Sequence, residues 1–125
     1  MKKTVYTQKA PEAIGPYSQA VVAGNLVFTS GQIPIVPQTG EVVQGDITAQ
    51  TEQALKNVGE ILKAAGADYE DVVKTTCFLK NMDDFAAFNE VYAKYFTGKP
   101  ARSCVAVREL PKGVLVEVET VAVLK

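Results

Sequence analysis

The sequence predicts an α+β fold, a mixed β-sheet with two helices packed on one face. Three features carry this expectation. Runs rich in β-branched and aromatic residues stand near both ends and in the middle of the chain; two segments repeat apolar residues at helical spacing; and the order along the chain reads strands, helix, strand, helix, strands.

Residues 19–23 and 26–30 are β-rich runs joined by Gly24-Asn25, a pair that accepts the positive φ values of a two-residue hairpin. Pro34, Pro37 and Gly40 then interrupt regular structure, so 33–45 reads as an irregular connection with short extended pieces. Asp46 is placed to cap a helix starting at Ile47, in which Ile47, Ala54, Leu55, Val58, Ile61, Leu62 and Ala65 share a face, and Gly66 is placed to end it. Such a helix extends roughly 28 Å, enough to cross a sheet. Its other side, with Gln50, Glu52, Gln53, Lys56, Asn57, Glu60 and Lys63, suits water.

Residues 72–80 form the next strand, and Asp83 or Asp84 opens a second helix reaching to about Phe96. Phe85, Phe88, Tyr92, Tyr95 and Phe96 give that helix an aromatic stripe, and packing on a sheet is the commoner use of such a stripe than a cofactor box. Residues 103–108 and 114–124 supply the last strands, separated by a turn at 109–113. Two helices cover one face of a sheet and nothing supplies a third layer, so the other face calls for a partner chain. With no linker, repeat or low-complexity tract, 1–125 reads as one domain.

Composition removes several function classes. Thirteen basic and fourteen acidic residues leave a formal charge of −1, so no long-range field draws the protein to nucleic acid or to an anionic membrane. The basic start of the chain is not followed by an apolar run fit for a signal peptide, and no later stretch is long enough to span a bilayer, which makes the expected location cytoplasmic. Cys77 and Cys104 are read as reduced thiols. Histidine is absent, which excludes Ser-His-Asp and Cys-His catalysis and the usual zinc sites and leaves acid–base work to carboxylates, tyrosine or thiols. Without a Walker loop or Gly-x-Gly-x-x-Gly motif, no nucleotide or metal cofactor is expected.

Strand periodicity then picks out candidates. Arg102, Cys104 and Ala106 alternate onto one side, so Arg102 is either a surface arginine or a guanidinium placed among small residues to grip a carboxylate with two parallel bonds. Leu115, Glu117, Glu119, Val121 and Val123 share a side, so the two carboxylates either face solvent at a sheet edge or include a partly buried base with a raised pKa. Tyr17 follows the rigid Gly15-Pro16 and Ser30-Gly31 ends a strand; each is a candidate for ligand contact or for a purely structural role. Cys104 lacks a histidine partner, so inert packing is the better reading for its thiol.

Three segments, Ile14-Gly15-Pro16-Tyr17-Ser18-Gln19-Ala20, Phe28-Thr29-Ser30-Gly31-Gln32-Ile33-Pro34 and Pro100-Ala101-Arg102-Ser103-Cys104-Val105, resemble in order and spacing the signatures of the RidA/YjgF family, and the likeness runs through the closing Leu115-Val116-Glu117-Val118-Glu119. That resemblance implies a chorismate-mutase-like fold with a mixed six-stranded sheet, assembled as a homotrimer around a barrel-like core with clefts between subunits. It implies hydrolysis of 2-iminobutanoate and 2-iminopropanoate to 2-oxo acids and ammonia, without a cofactor. Carried over by position, Arg102 holds the substrate carboxylate, Tyr17 lines the substrate and Glu117 handles water, with Ser30, Gly31, Asn89 and Cys104 completing the pocket. The chain departs from the family pattern at Lys99, which follows a shortened loop where many members have an aromatic residue; cleft shape and substrate range are open there. Two other functions compete: non-catalytic binding of 2-oxo acids in the same clefts and, with less support from a chain lacking histidine and a continuous basic track, RNA cleavage in inhibition of translation.

Overall fold

The first helix is set at both ends by its own sequence. In the computed structural model, which describes residues 2–125, α1 spans Ile47–Ala65. Asp46 accepts a hydrogen bond from the Ala49 amide at 3.1 Å, and Gly66 takes the left-handed conformation that returns its N–H to the final turn. The second helix, α2, spans Phe85–Tyr95. Its entrance corrects the expectation of an aspartate cap. A turn of 3-10 helix at Met82–Asp84 precedes it, which moves the free amides upstream, and Asn81 accepts from the Asp83 amide at 2.9 Å, whereas Asp84 makes no side-chain cap bond.

Strands β1 (Lys2–Val5), β2 (Ala20–Ala23), β3 (Leu26–Thr29), β6 (Val72–Leu79), β7 (Ala101–Ala106) and β8 (Val116–Val123) form one sheet in the order β1, β2, β3, β8, β6, β7. Between β3 and α1, β4 (Ile35–Val36) and β5 (Glu41–Val42) make a separate two-stranded ribbon inside the irregular connection. The pair β6 and β7 is parallel, with α2 as its crossover, and every other pair is antiparallel. The residue pattern did not reveal β1: its two lysines obscure alternation, and antiparallel pairing to β2 holds it in place. β7 starts at Ala101, earlier than the β-branched run suggests, because it pairs from there with Lys74.

Alternation divides the sheet into two unlike faces. Val27, Cys77, Leu79, Val116, Val118 and Ala122 are buried in one core with Leu55, Val58, Ile61 and Leu62 of α1 and Phe88 of α2. On the reverse face Phe28 and Val105 remain 43% and 48% exposed. Both helices thus sit on one side, as their number implied, and the other side is uncovered in the single chain.

The polar side of α1 corrects the sequence reading. Gln50 and Asn57 do not face water; they are buried. Asn57 Nδ2 donates to the Ile33 and Ile35 carbonyls at 3.1 and 2.9 Å, and its Oδ1 accepts from Gln53 Nε2 at 3.0 Å. Gln50 Oε1 accepts from the Leu115 amide at 2.8 Å and its Nε2 donates to the Val43 carbonyl at 3.3 Å. An irregular connection has few ladder partners for its backbone, and the helix amides supply them. Asn57→Ala removes the side-chain donor of the Ile35 carbonyl and one of the two donors of the Ile33 carbonyl, which keeps the Ile35 amide at 2.8 Å, and is expected to cost about 1–3 kcal/mol, read as a lower urea midpoint at unchanged slope.

Candidate active site

Arg102 lies on β7, the sheet edge nearest α2, and is half-buried. Its Nη1 donates to Asn89 Oδ1 on α2 at 2.6 Å, and the guanidinium carbon stands 4.8 Å from the Tyr92 ring centre and 5.4 Å from that of Phe85. The aromatic stripe therefore both packs and carries a cation. Tyr92 is itself fixed by a 2.7 Å hydrogen bond to Thr75, the β6 residue in register with Arg102. These contacts hold the guanidinium without neutralising it, since every one is to a neutral group. A cleft of about 700 Å³ opens beside it, lined by Asn89, Tyr92, Phe96, Lys99 and Arg102 among others. Cys104, on the same side of β7, is half-buried; burial pushes its thiol up against the pull of Arg102. Cys77 beside it is pushed up to about 12 by burial. Burial thus disfavours the thiolate at both positions.

Glu117 belongs to a second group. It lies half-buried on β8, and its carboxyl is raised above the ordinary 4.5, first by burial and then by the like charge of Glu119. Gln32 and Val118 exchange backbone hydrogen bonds at 2.8 and 3.1 Å, which brings Gly31 against Glu117. A Cβ at position 31 would meet the Glu117 carboxylate, so any larger residue there would displace that side chain. Ser30 ties the same strand end to the preceding loop, its Oγ donating to the Ser18 carbonyl at 2.6 Å and its amide to the Gln19 carbonyl at 2.8 Å. The loop delivers Tyr17, 53% exposed, to a pocket of about 290 Å³ that Gly31, Ile33 and Lys112 also line. Gln19, which sequence reasoning missed as an organiser, is buried and bonds Thr7, Ala10 and Pro11 through its side-chain amide.

The sequence candidates therefore fall into two sets. Arg102, Asn89 and Cys104 stand together, and Tyr17, Ser30, Gly31 and Glu117 stand together. The register shows that one chain does not join them: Arg102 is level with Thr75 and Thr120 on the face beneath the helices, whereas Glu117 is level with Phe78 and Val105 on the reverse face. The roles of Thr75 and Tyr92 were not found from sequence, because they depend on cross-strand register; the helical spacing of Tyr92 from Asn89 was the available signal.

Comparison with known proteins connects this arrangement to a family. The family model described as Endoribonuclease L-PSP matches residues 7–124. The 2-iminobutanoate/2-iminopropanoate deaminase of Escherichia coli K12 is 52% identical over 98% of both chains. The chain belongs to the RidA/YjgF family. A RutC family protein of Pyrococcus horikoshii is 57% identical over 98% of both chains. A Thermotoga maritima crystal structure bearing an endoribonuclease label superposes with a TM-score of 0.98 at 56% identity, covering 100% of this chain and 99% of that one. The α+β fold with a mixed six-stranded sheet and two helices is thus that of RidA/YjgF proteins.

In this RidA/YjgF chain the raised carboxyl of Glu117 makes stability depend on pH. The folded protein holds that proton to higher pH than the unfolded chain does, so stability is lost as pH climbs from the ordinary 4.5 through the raised folded value. Glu117→Gln is expected to melt higher than the parent at about pH 8 and to lose that advantage at about pH 4, a difference that paired thermal melts measure directly.

Proposed function

We propose that this protein hydrolyses small 2-imino acids, 2-iminobutanoate and 2-iminopropanoate among them, to 2-oxo acids and ammonia at sites that two copies of the chain build together. The observation that carries the reading is the division of the candidate residues: a cation poised for a carboxylate on one face of the sheet and a base of raised pKa on the other. The uncovered sheet face, with Phe28 and Val105 exposed, supports closure into a homotrimer around a barrel-like core. In such a ring the Arg102 cleft of one copy would meet the face of the next that carries Glu117 and Gly31.

Arg102 holds the substrate carboxylate while Asn89 and the two rings keep its guanidinium in place. Backbone donors near Gly31 and Cys104 fix the small acid, and Ser30 keeps Gly31 in position. Glu117 of the neighbouring copy takes a proton from water, whose oxygen bonds to the imine carbon and gives a tetrahedral carbinolamine. Glu117 or Tyr17 then delivers a proton to the nitrogen, the carbon–nitrogen bond breaks and ammonia leaves, and the hydroxyl proton passes to the group that gave its own as the oxygen becomes the ketone. Orientation and charge placement supply the acceleration, since imines already hydrolyse unaided. The Arg102 cleft, walled by rings and a helix, matches one small acid better than a polynucleotide backbone, which takes an extended cationic track with stacking platforms. A protein that only bound 2-oxo acids would need Arg102 alone, so Glu117→Ala separates the two: binding kept and turnover lost identifies the enzyme.

Arg102→Ala and Glu117→Ala are each expected to lower kcat/KM at least ~100-fold in an imine-trapping assay. Mixed, unfolded and refolded together in equal amounts, the two variants should recover about a quarter of the parent's activity, because random assembly joins an intact Arg102 half to an intact Glu117 half at one site in four. No recovery would place both halves in one chain. Glu119→Gln removes the like charge that helps raise Glu117, and should move the acid limb of the kcat/KM profile to lower pH.

A further inference from the structure

We infer that the Arg102 cleft takes a second carboxylate: Lys99 stands in it as a further unpaired cation, and the imines it favours are those of acidic amino acids, the 2-iminodicarboxylates. The inference rests on the reading of Arg102 as the α-carboxylate clamp and adds the substrate's side chain to it.

Lys99 and Arg102 line the same cleft, and no carboxylate lines it with them. Among the described residues the one ion pair within 4.0 Å joins Lys125 to Asp71 and involves neither Lys99 nor Arg102. The one side-chain hydrogen bond of Arg102 among the described residues goes to the neutral Asn89 amide. Two like charges in one concavity, each without a counterion, add their fields and draw an anion of matching valence. Arginine provides a flat, two-pronged grip that fits one carboxylate in a fixed plane, whereas lysine is a point charge on a flexible stem that follows a second carboxylate at variable reach. A monocarboxylate satisfies only the first.

The backbone at this position is unusual in the same direction. Lys99 has φ 52°, one of two non-glycine residues with positive φ among those described, and its amide donates to the Phe96 carbonyl at 3.2 Å. Glycine is the ordinary choice for that conformation, and Gly98 next to it does not occupy it. The turn from α2 to β7 is thereby kept short, with only Pro100 and Ala101 between the two cations. An apolar side chain at 99 would leave the cleft suited to alkyl substituents. The cleft volume, about 700 Å³, leaves room beyond a four-carbon acid.

The reaction itself is unchanged: water adds to the imine carbon, ammonia departs, and the second carboxylate passes through untouched. The test compares 2-iminoglutarate with 2-iminopropanoate, each released from its amino acid by a flavin oxidase in the presence of catalase and trapped by semicarbazide. The parent is expected to prefer the dicarboxylate in kcat/KM by roughly 5- to 10-fold, mainly through KM, as a partly exposed charge contact provides. Lys99→Gln should bring the ratio close to one and Lys99→Arg should largely keep it. A parent without the preference, or a Lys99→Gln variant that retains it, overturns the inference. Calorimetric binding of 2-oxoglutarate against 2-oxobutanoate to the same three proteins reads the selectivity without turnover. Should neither imine be hydrolysed, the proposed reaction fails, while the binding ratio still decides whether Lys99 selects a second carboxylate.

Discussion

Side chains along a β-strand point alternately to the two faces of a sheet, and in this protein a single strand transmits that alternation to both charged groups of interest. β6 lies between β7 and β8, with Thr75 level with Arg102 and Thr120, and Phe78 level with Glu117 and Val105. Thr75 and Phe78 are three residues apart, an odd number, so their neighbours face opposite ways. A slip of one residue in either pairing would move Glu117 beneath the helices or Arg102 out from under them. The uncovered face and the separation of Arg102 from Glu117 are both consequences of this register.

The two halves also differ in how they handle charge. Burying an arginine is normally offset by a carboxylate, which cancels the charge it supports. Here Arg102 is offset instead by the Asn89 oxygen and the faces of Tyr92 and Phe85, all neutral, so its positive potential stays available to a ligand. Thr75 holds Tyr92 from below, which extends the support of the guanidinium into the core. Glu117 is treated in the opposite manner: burial first, and then the like charge of Glu119, raises its proton affinity. One side chain is stabilised in its charged form and the other is not.

Much of this was legible in the residues and some was not, for identifiable reasons. The limits of α1 were written in Asp46 and Gly66, and the hairpin between β2 and β3 in Gly24-Asn25, because caps and tight turns are settled by a few adjacent residues. The face of each charged residue relative to its own strand neighbours was legible too. That Arg102 and Glu117 face away from each other was not, since a period of two fixes sides within a strand and only pairing through β6 relates one strand to another. The amides of α1 misled for a related reason: Gln50 and Asn57 look like solvent residues on a helical wheel, and only the path of the 33–45 connection across that side shows them to be its hydrogen-bond partners. β1 was hidden because Lys2 and Lys3 carry no alternation.

The cost of Glu117 to the single chain becomes intelligible once its face is considered as an interface. A half-buried carboxylate beside another acid destabilises the folded chain near neutral pH, and selection for stability alone would replace it. Covering the sheet's open face with a partner removes more water from Glu117, and less solvation raises the affinity of a carboxylate for its proton further. The proposed assembly would do two things through one desolvation: it would bury Phe28 and Val105, whose apolar area favours association, and it would raise the proton affinity of Glu117 further in the direction burial already sets. On the same argument an isolated chain would be doubly unfit for the proposed hydrolysis, lacking the neighbour's guanidinium and holding a weaker base, so the proposed reaction ties activity to association through the same surface.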